Sequence, residues 1–67
     1  MKFRELTTLA ESLGFILDRV KGSHHIFVHP DLPEILNLQN VKGQAKPYQI
    51  NQLVKLIEKH NLLVEDQ

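Results

Sequence analysis

Apolar residues recur along the chain with two different periods. Leu6, Leu9, Ala10 and Leu13 fall at i, i+3, i+4 and i+7, one stripe of a helix. Phe3 sits where that stripe would extend by one turn, although nothing in the sequence caps the start well. Gly14 follows directly, where a left-handed residue stops a helix. "FILDRV", residues 15–20, is β-branched and aromatic and predicts a strand. Gly22-Ser23 offers a two-residue hairpin loop with glycine at its first central position. "HHIFVH", residues 24–29, is then the return strand, ended by Pro30. "DLPE" predicts a turn around Pro33, "ILNLQ" (residues 35–39) a third strand, and "NVKGQAK" a loop centred on Gly43.

The second helical stripe is the clearest. Ile50, Leu53, Val54 and Ile57 repeat the same spacing, and Pro47 suits the first helical position. Lys55, Lys59 and His60 lie toward the end of this helix, where positive charge complements the dipole, and Asn61 can end it. Leu62, Leu63 and Val64 add an apolar patch before the acidic Glu65 and Asp66.

The predicted order is helix, strand, strand, strand, helix, an α+β fold. A three-stranded antiparallel sheet with both helices on one face would bury the two stripes together. The other face would stay open, within reach of a ligand or partner. Length predicts one domain over residues 1–67, since a chain this short buries only about 60% of its unfolded surface. That leaves no room for a deep substrate cavity, so an enzymatic site would be a shallow surface constellation.

Composition narrows the chemistry. There are no cysteines, which excludes a disulfide framework, a thiolate zinc site and a cysteine nucleophile. The first residues do not read as a signal peptide, because Glu5 and Glu11 interrupt any apolar core, and no stretch has the length of a membrane span. A cytoplasmic setting is expected. The formal net charge of +0 argues against a strong non-specific nucleic-acid binder. The charge is unevenly spread, however. Arg19, Lys21, Lys42 and Lys46, with His24, His25 and His29, make the middle of the chain its cationic part.

The stretch "KGSHHIFVHP" carries the candidate chemistry. With Gly22-Ser23 as the loop, Lys21 faces His24, Arg19 faces Ile26 and Leu17 faces Val28, all on one sheet face. One imidazole and two fixed cations then form a credible phosphate pocket. A three-residue loop would instead pair Lys21 with His25 and leave His24 in the turn. The apolar residues do not settle which face is core: Phe15, Leu17, Ile26 and Val28 share one face, and Ile16, Val20 and Phe27 the other.

Each candidate has a bland alternative. His24 can take a proton from an RNA 2′-hydroxyl and return one to a leaving group, with lysine or arginine stabilising the phosphoryl oxygens. It can equally be a polar residue at the mouth of a hairpin. A metal site from His24, His25 and His29 is disfavoured, because adjacent strand residues point apart and His25 and His29 would lie roughly 13 Å apart. Lys42, Gly43 and Lys46 precede a helix N-terminus that would attract phosphate, though many surface loops share this composition. Asp18 could orient a histidine, and Ser23 could donate to a phosphate oxygen. Tyr48 could stack on a base, but packing at the helix start is the expectation.

The segment "LGFILDRVKGSHHIFVHP", Leu13 to Pro30, resembles the HicA-type (YcfA-like) mRNA interferase toxins of bacterial type II toxin–antitoxin systems. The pattern G-F-x-L-x-R-x-x-G-S-H-H-x-F-x-H-P is matched throughout, and the flanking elements follow the family's order. The resemblance implies an α-β-β-β-α fold similar to double-stranded-RNA-binding domains. It also implies metal-independent cleavage of mRNA without a cofactor, and a HicB-type antitoxin that masks the site. The family's catalytic histidine is the first after Gly-Ser, here His24. Lys21, Gly22, Ser23, Lys42 and Lys46 are the candidates for RNA contact. The second half departs from the family pattern: Lys46-Pro47 replaces a Gly-Thr leading into the last helix. A non-catalytic RNA-binding or antitoxin-binding domain of the same fold is the alternative.

Overall fold

The first apolar stripe forms α1 (Phe3–Ser12), which buries Phe3, Leu6 and Ala10. Its start is capped from inside the helix, because the Glu5 carboxylate accepts the Lys2 backbone N–H at 2.9 Å. Its end is a Schellman turn. Gly14 takes φ 97, its N–H reaches the Glu11 carbonyl at 3.0 Å, and the Phe15 N–H reaches the Ala10 carbonyl at 3.1 Å. The structure is a computed structural model that describes residues 1–64; the acidic pair Glu65 and Asp66 lies outside the described residues.

Three strands follow, β1 (Ile16–Lys21), β2 (His24–His29) and β3 (Leu32–Gln39), in one antiparallel sheet of order β1-β2-β3. Gly22 alone in the first turn takes positive φ, 58°, the signature of a two-residue type II′ turn. Lys21 therefore pairs with His24, Val20 with His25 and Arg19 with Ile26. Beyond Arg19 the ladder shifts: Asp18 is bulged out, so Leu17 meets Phe27 and Ile16 meets Val28. The expected Leu17–Val28 pair is displaced by this extra residue.

The third strand is longer than "ILNLQ". The turn falls at Pro30-Asp31, and the strand begins at Leu32, opposite His29. Pro33 lies within the strand rather than in a turn. It is tolerated because β3 is an edge strand and its ladder is irregular between Phe27 and His29. After Asn40, Val41 and Gln44 exchange backbone hydrogen bonds of 3.1 and 2.9 Å around Lys42 (φ 52) and Gly43 (φ 79), a type I′ turn. This turn is tied to the N-terminus, where Phe3 N–H donates to the Gly43 carbonyl at 2.9 Å.

Helix α2 (Pro47–His60) starts with Pro47 and ends on Asn61 in the left-handed region, φ 53. Its buried face is rotated from the expected stripe. Gln49 and Leu53 are fully buried, Ile50, Leu56 and Ile57 pack partly against the core, and Val54 is exposed. The rotation follows from Gln49, a polar residue that a purely apolar stripe omits. Phe3, Leu6, Ala10 and Leu13, with Leu53 from α2, cover the sheet face that bears Phe27, Leu36 and Leu38. Both helices thus lie on one face, and the core takes the Phe27 side of β2. The rim is closed by Glu34, whose carboxylate accepts from Lys59 Nζ at 2.6 Å and His60 Nε2 at 2.9 Å. Those hydrogen bonds hold the Glu34 carboxyl down at about 2, well below its ordinary 4.5.

Candidate functional site

Alternation along β2 divides its histidines between the two sheet faces. His25 and His29 share the covered face with Phe27. The His25 ring meets Phe3 edge-on at 4.8 Å between centroids. His29 is buried and meets Phe15 edge-on at 5.0 Å. Its Nε2 lies 3.0 Å from the Leu13 carbonyl, and its Nδ1 accepts the Asp31 N–H at 3.1 Å. Both nitrogens of this ring are therefore engaged by backbone, fixing the end of α1 and the turn after β2.

His24 is the histidine left on the open face, and it is exposed. Its register partners are Lys21 on one side and Gln39 on the other. Its Nδ1 lies 3.1 Å from Asn37 Oδ1, and among the described residues its Nε2 has no hydrogen-bond partner. Arg19 keeps the same face, opposite Ile26, with its guanidinium on the bulged Asp18 carboxylate at 2.7 Å. Asp18 thus pairs with arginine rather than orienting a histidine. The open face grades from Arg19, Lys21 and His24 near the Gly22-Ser23 turn to exposed Ile16 and Ile35 at its far end.

The turn is anchored from β3. The Ser23 carbonyl accepts the Asn40 N–H at 2.8 Å, and Ser23 Oγ accepts from Gln39 Nε2 at 3.3 Å. Gln39 is in turn held by Gln49 of α2, whose Oε1 accepts the Gln39 N–H at 2.8 Å and whose Nε2 donates to the Gln39 carbonyl at 2.9 Å. The buried amide imitates a further strand at the edge of β3, so neither of its polar atoms goes unsatisfied. Lys42 stands at the tip of the type I′ turn and Lys46 at the N-cap of α2. Among the described residues none of Lys21, Lys42 and Lys46 is ion-paired. Tyr48 is exposed in the first turn of α2, not packed as expected.

Lys21, Gly22, Ser23 and His24 are thus brought together by one turn, and the segment bearing Lys42 and Lys46 leaves β3 beside it. Sequence reasoning missed Asn37, Gln39 and Gln49. Alternation in "ILNLQ" does place Asn37 and Gln39 on one face, but tying them to His24 required the β2–β3 register.

Among the described residues no helix is long and apolar enough to cross a membrane. No curated protein and no solved structure was found to match the chain. The family model described as HicA toxin of bacterial toxin–antitoxin systems matches residues 3–59, from the first residue of α1 to the last turn of α2. By that match, which takes in the whole sheet and its histidine-bearing turn, the chain belongs to the HicA toxin family.

Proposed function

We propose that this toxin is a metal-independent endoribonuclease that cleaves mRNA, that His24 is its proton-transfer residue, and that a HicB-type antitoxin neutralises it. The chain would act in the cytoplasm as a single domain over residues 1–67, without a cofactor. The observation that carries this reading is the setting of His24: exposed, opposite Lys21, with one ring nitrogen held and the other unengaged among the described residues.

RNA supplies its own nucleophile. The imidazole takes the 2′-hydroxyl proton, the 2′-oxygen bonds to phosphorus, and the bond from phosphorus to the 5′-oxygen breaks. The 5′-oxygen leaves with a proton drawn from water, and the ring returns its proton to solvent, so the products are a 2′,3′-cyclic phosphate and a 5′-hydroxyl end. Lys21 is positioned to offset charge on the phosphoryl oxygens. Gly22 and Ser23 shape the turn that admits the backbone, and Lys42 and Lys46 contact phosphates further along the strand.

The test is cleavage of a long single-stranded RNA in excess EDTA by the wild type and by His24→Ala. The wild type is expected to cut with no metal present. The variant is expected to lose about 10²–10⁴-fold while remaining folded. Equal cleavage by a folded His24→Ala protein would remove His24 from the mechanism. Exposed Ile16, Leu17, Val20 and Ile35 favour a second reading, a non-catalytic RNA-binding or antitoxin-binding module of the same fold. Tight RNA binding without cleavage by the wild type would establish it.

A further inference from the structure

We infer that Asn37 is a positioning residue that fixes His24 in the tautomer protonated at Nδ1, leaving Nε2 as the proton acceptor. The role in catalysis rests on the ribonuclease reading above; the tautomer itself does not. The two side chains come from different strands. His24 pairs with Gln39 and Ile26 with Asn37, so Asn37 is the diagonal neighbour of His24 on the open face. Nδ1 and Oδ1 lie 3.1 Å apart. A carbonyl oxygen only accepts hydrogen bonds, so the nitrogen facing it carries the hydrogen. In a neutral ring the other nitrogen then holds the lone pair, and that nitrogen is unengaged among the described residues.

This division of labour is the one an imidazole base needs. A partner behind the ring holds its orientation and tautomer, and the free nitrogen faces the substrate. Asn37 is held in place by its strand, whose end is pinned by the buried Gln49 amide at Gln39. His24 therefore enters the reaction as the base that receives the 2′-hydroxyl proton. His29 on the same strand is the reverse case, with Nδ1 accepting from Asp31 and Nε2 donating to Leu13. The two rings are therefore expected to hold opposite tautomers within one strand.

The experiment is ¹⁵N NMR of the histidine rings in the wild type, Asn37→Leu and Asn37→Asp, above the titration range, with RNA cleavage measured in parallel. Asn37 is exposed, so neither substitution disturbs the core. The wild type is expected to show His24 protonated at Nδ1 and His29 at Nε2. Asn37→Leu should release His24 toward the Nε2–H form favoured by an unconstrained histidine and slow cleavage about tenfold to a hundredfold, less than loss of the base itself. Asn37→Asp, which presents an acceptor oxygen, should keep the Nδ1–H form and restore most of the rate. A wild-type His24 protonated at Nε2, or a tautomer unmoved by Asn37→Leu, would overturn the inference. The expected tautomers without any wild-type cleavage would leave the inference standing and sink the ribonuclease reading instead.

Discussion

His24 and His29 stand at opposite ends of one strand and have opposite surroundings. His29 is buried, and both of its ring nitrogens are spent on backbone, at Leu13 and Asp31. His24 is exposed, with one nitrogen on Asn37 and the other unengaged among the described residues. Residue type is the same and the spacing is even less informative. What separates these two rings is whether a ring nitrogen is left over at an exposed position. For His24 and His29 the strand's two faces set the difference in exposure, since the helices cover only one of them.

The sharpest way to break this comparison is to delete each ring in turn. His29→Ala leaves a buried carbonyl and a turn N–H without partners and opens space beside Phe15. It is expected to cost about 2–4 kcal/mol in urea unfolding. In a chain this small, that is a large share of total stability. His24→Ala should stay within about 0.5 kcal/mol of the wild type, as exposed substitutions do. Equal losses from the two would erase the distinction between structural and chemical histidine.

A smaller effect is expected at Gln49, which supports the His24 side of the sheet from below. Gln49→Leu keeps the volume but strips two hydrogen bonds from the Gln39 backbone. A loss of about 1–3 kcal/mol is expected, with hydrogen exchange at the Gln39 amide accelerated more than at Phe27 in the sheet centre. Uniform acceleration through the sheet would mean that Gln49 supports the fold at large rather than this edge.

Much of this was legible in the chain. The α1 stripe, the stop at Gly14, the Gly22-Ser23 turn and the start of α2 at Pro47 each rest on local rules, and local rules carry to the structure. The Lys21–His24 pair follows from the turn alone. What was not legible depends on distant partners. The bulge at Asp18 moved Leu17 opposite Phe27, and no local residue preference announces it. Pro33 reads as a turn until the strand carrying it is known to be an edge. Gln49 breaks the apolar stripe because its partner is a backbone ten positions away in sequence. Asn37 became visible only once β3 was laid against β2.

His60 adds a third kind of engagement, a side-chain carboxylate, and it yields the smallest predicted effect. Lys59 and His60 hydrogen bonds keep Glu34 ionised down to about 2 in the folded protein, against 4.5 ordinarily. The folded state therefore binds this proton less readily than the unfolded state does. The stabilisation is fully present above about pH 4.5 and is lost as the pH falls toward about 2. Lys59 is largely exposed, so salt screens part of the attraction. Glu34→Gln should lower the thermal midpoint slightly near pH 7 and flatten its decline across that acid window. The gap between variant and wild type should close at the acid end. A gap of constant size throughout would mean that Glu34 acts by packing and not by charge. His60 would then belong with His29 as a ring held for shape, and Glu34 would no longer exemplify a charged partner.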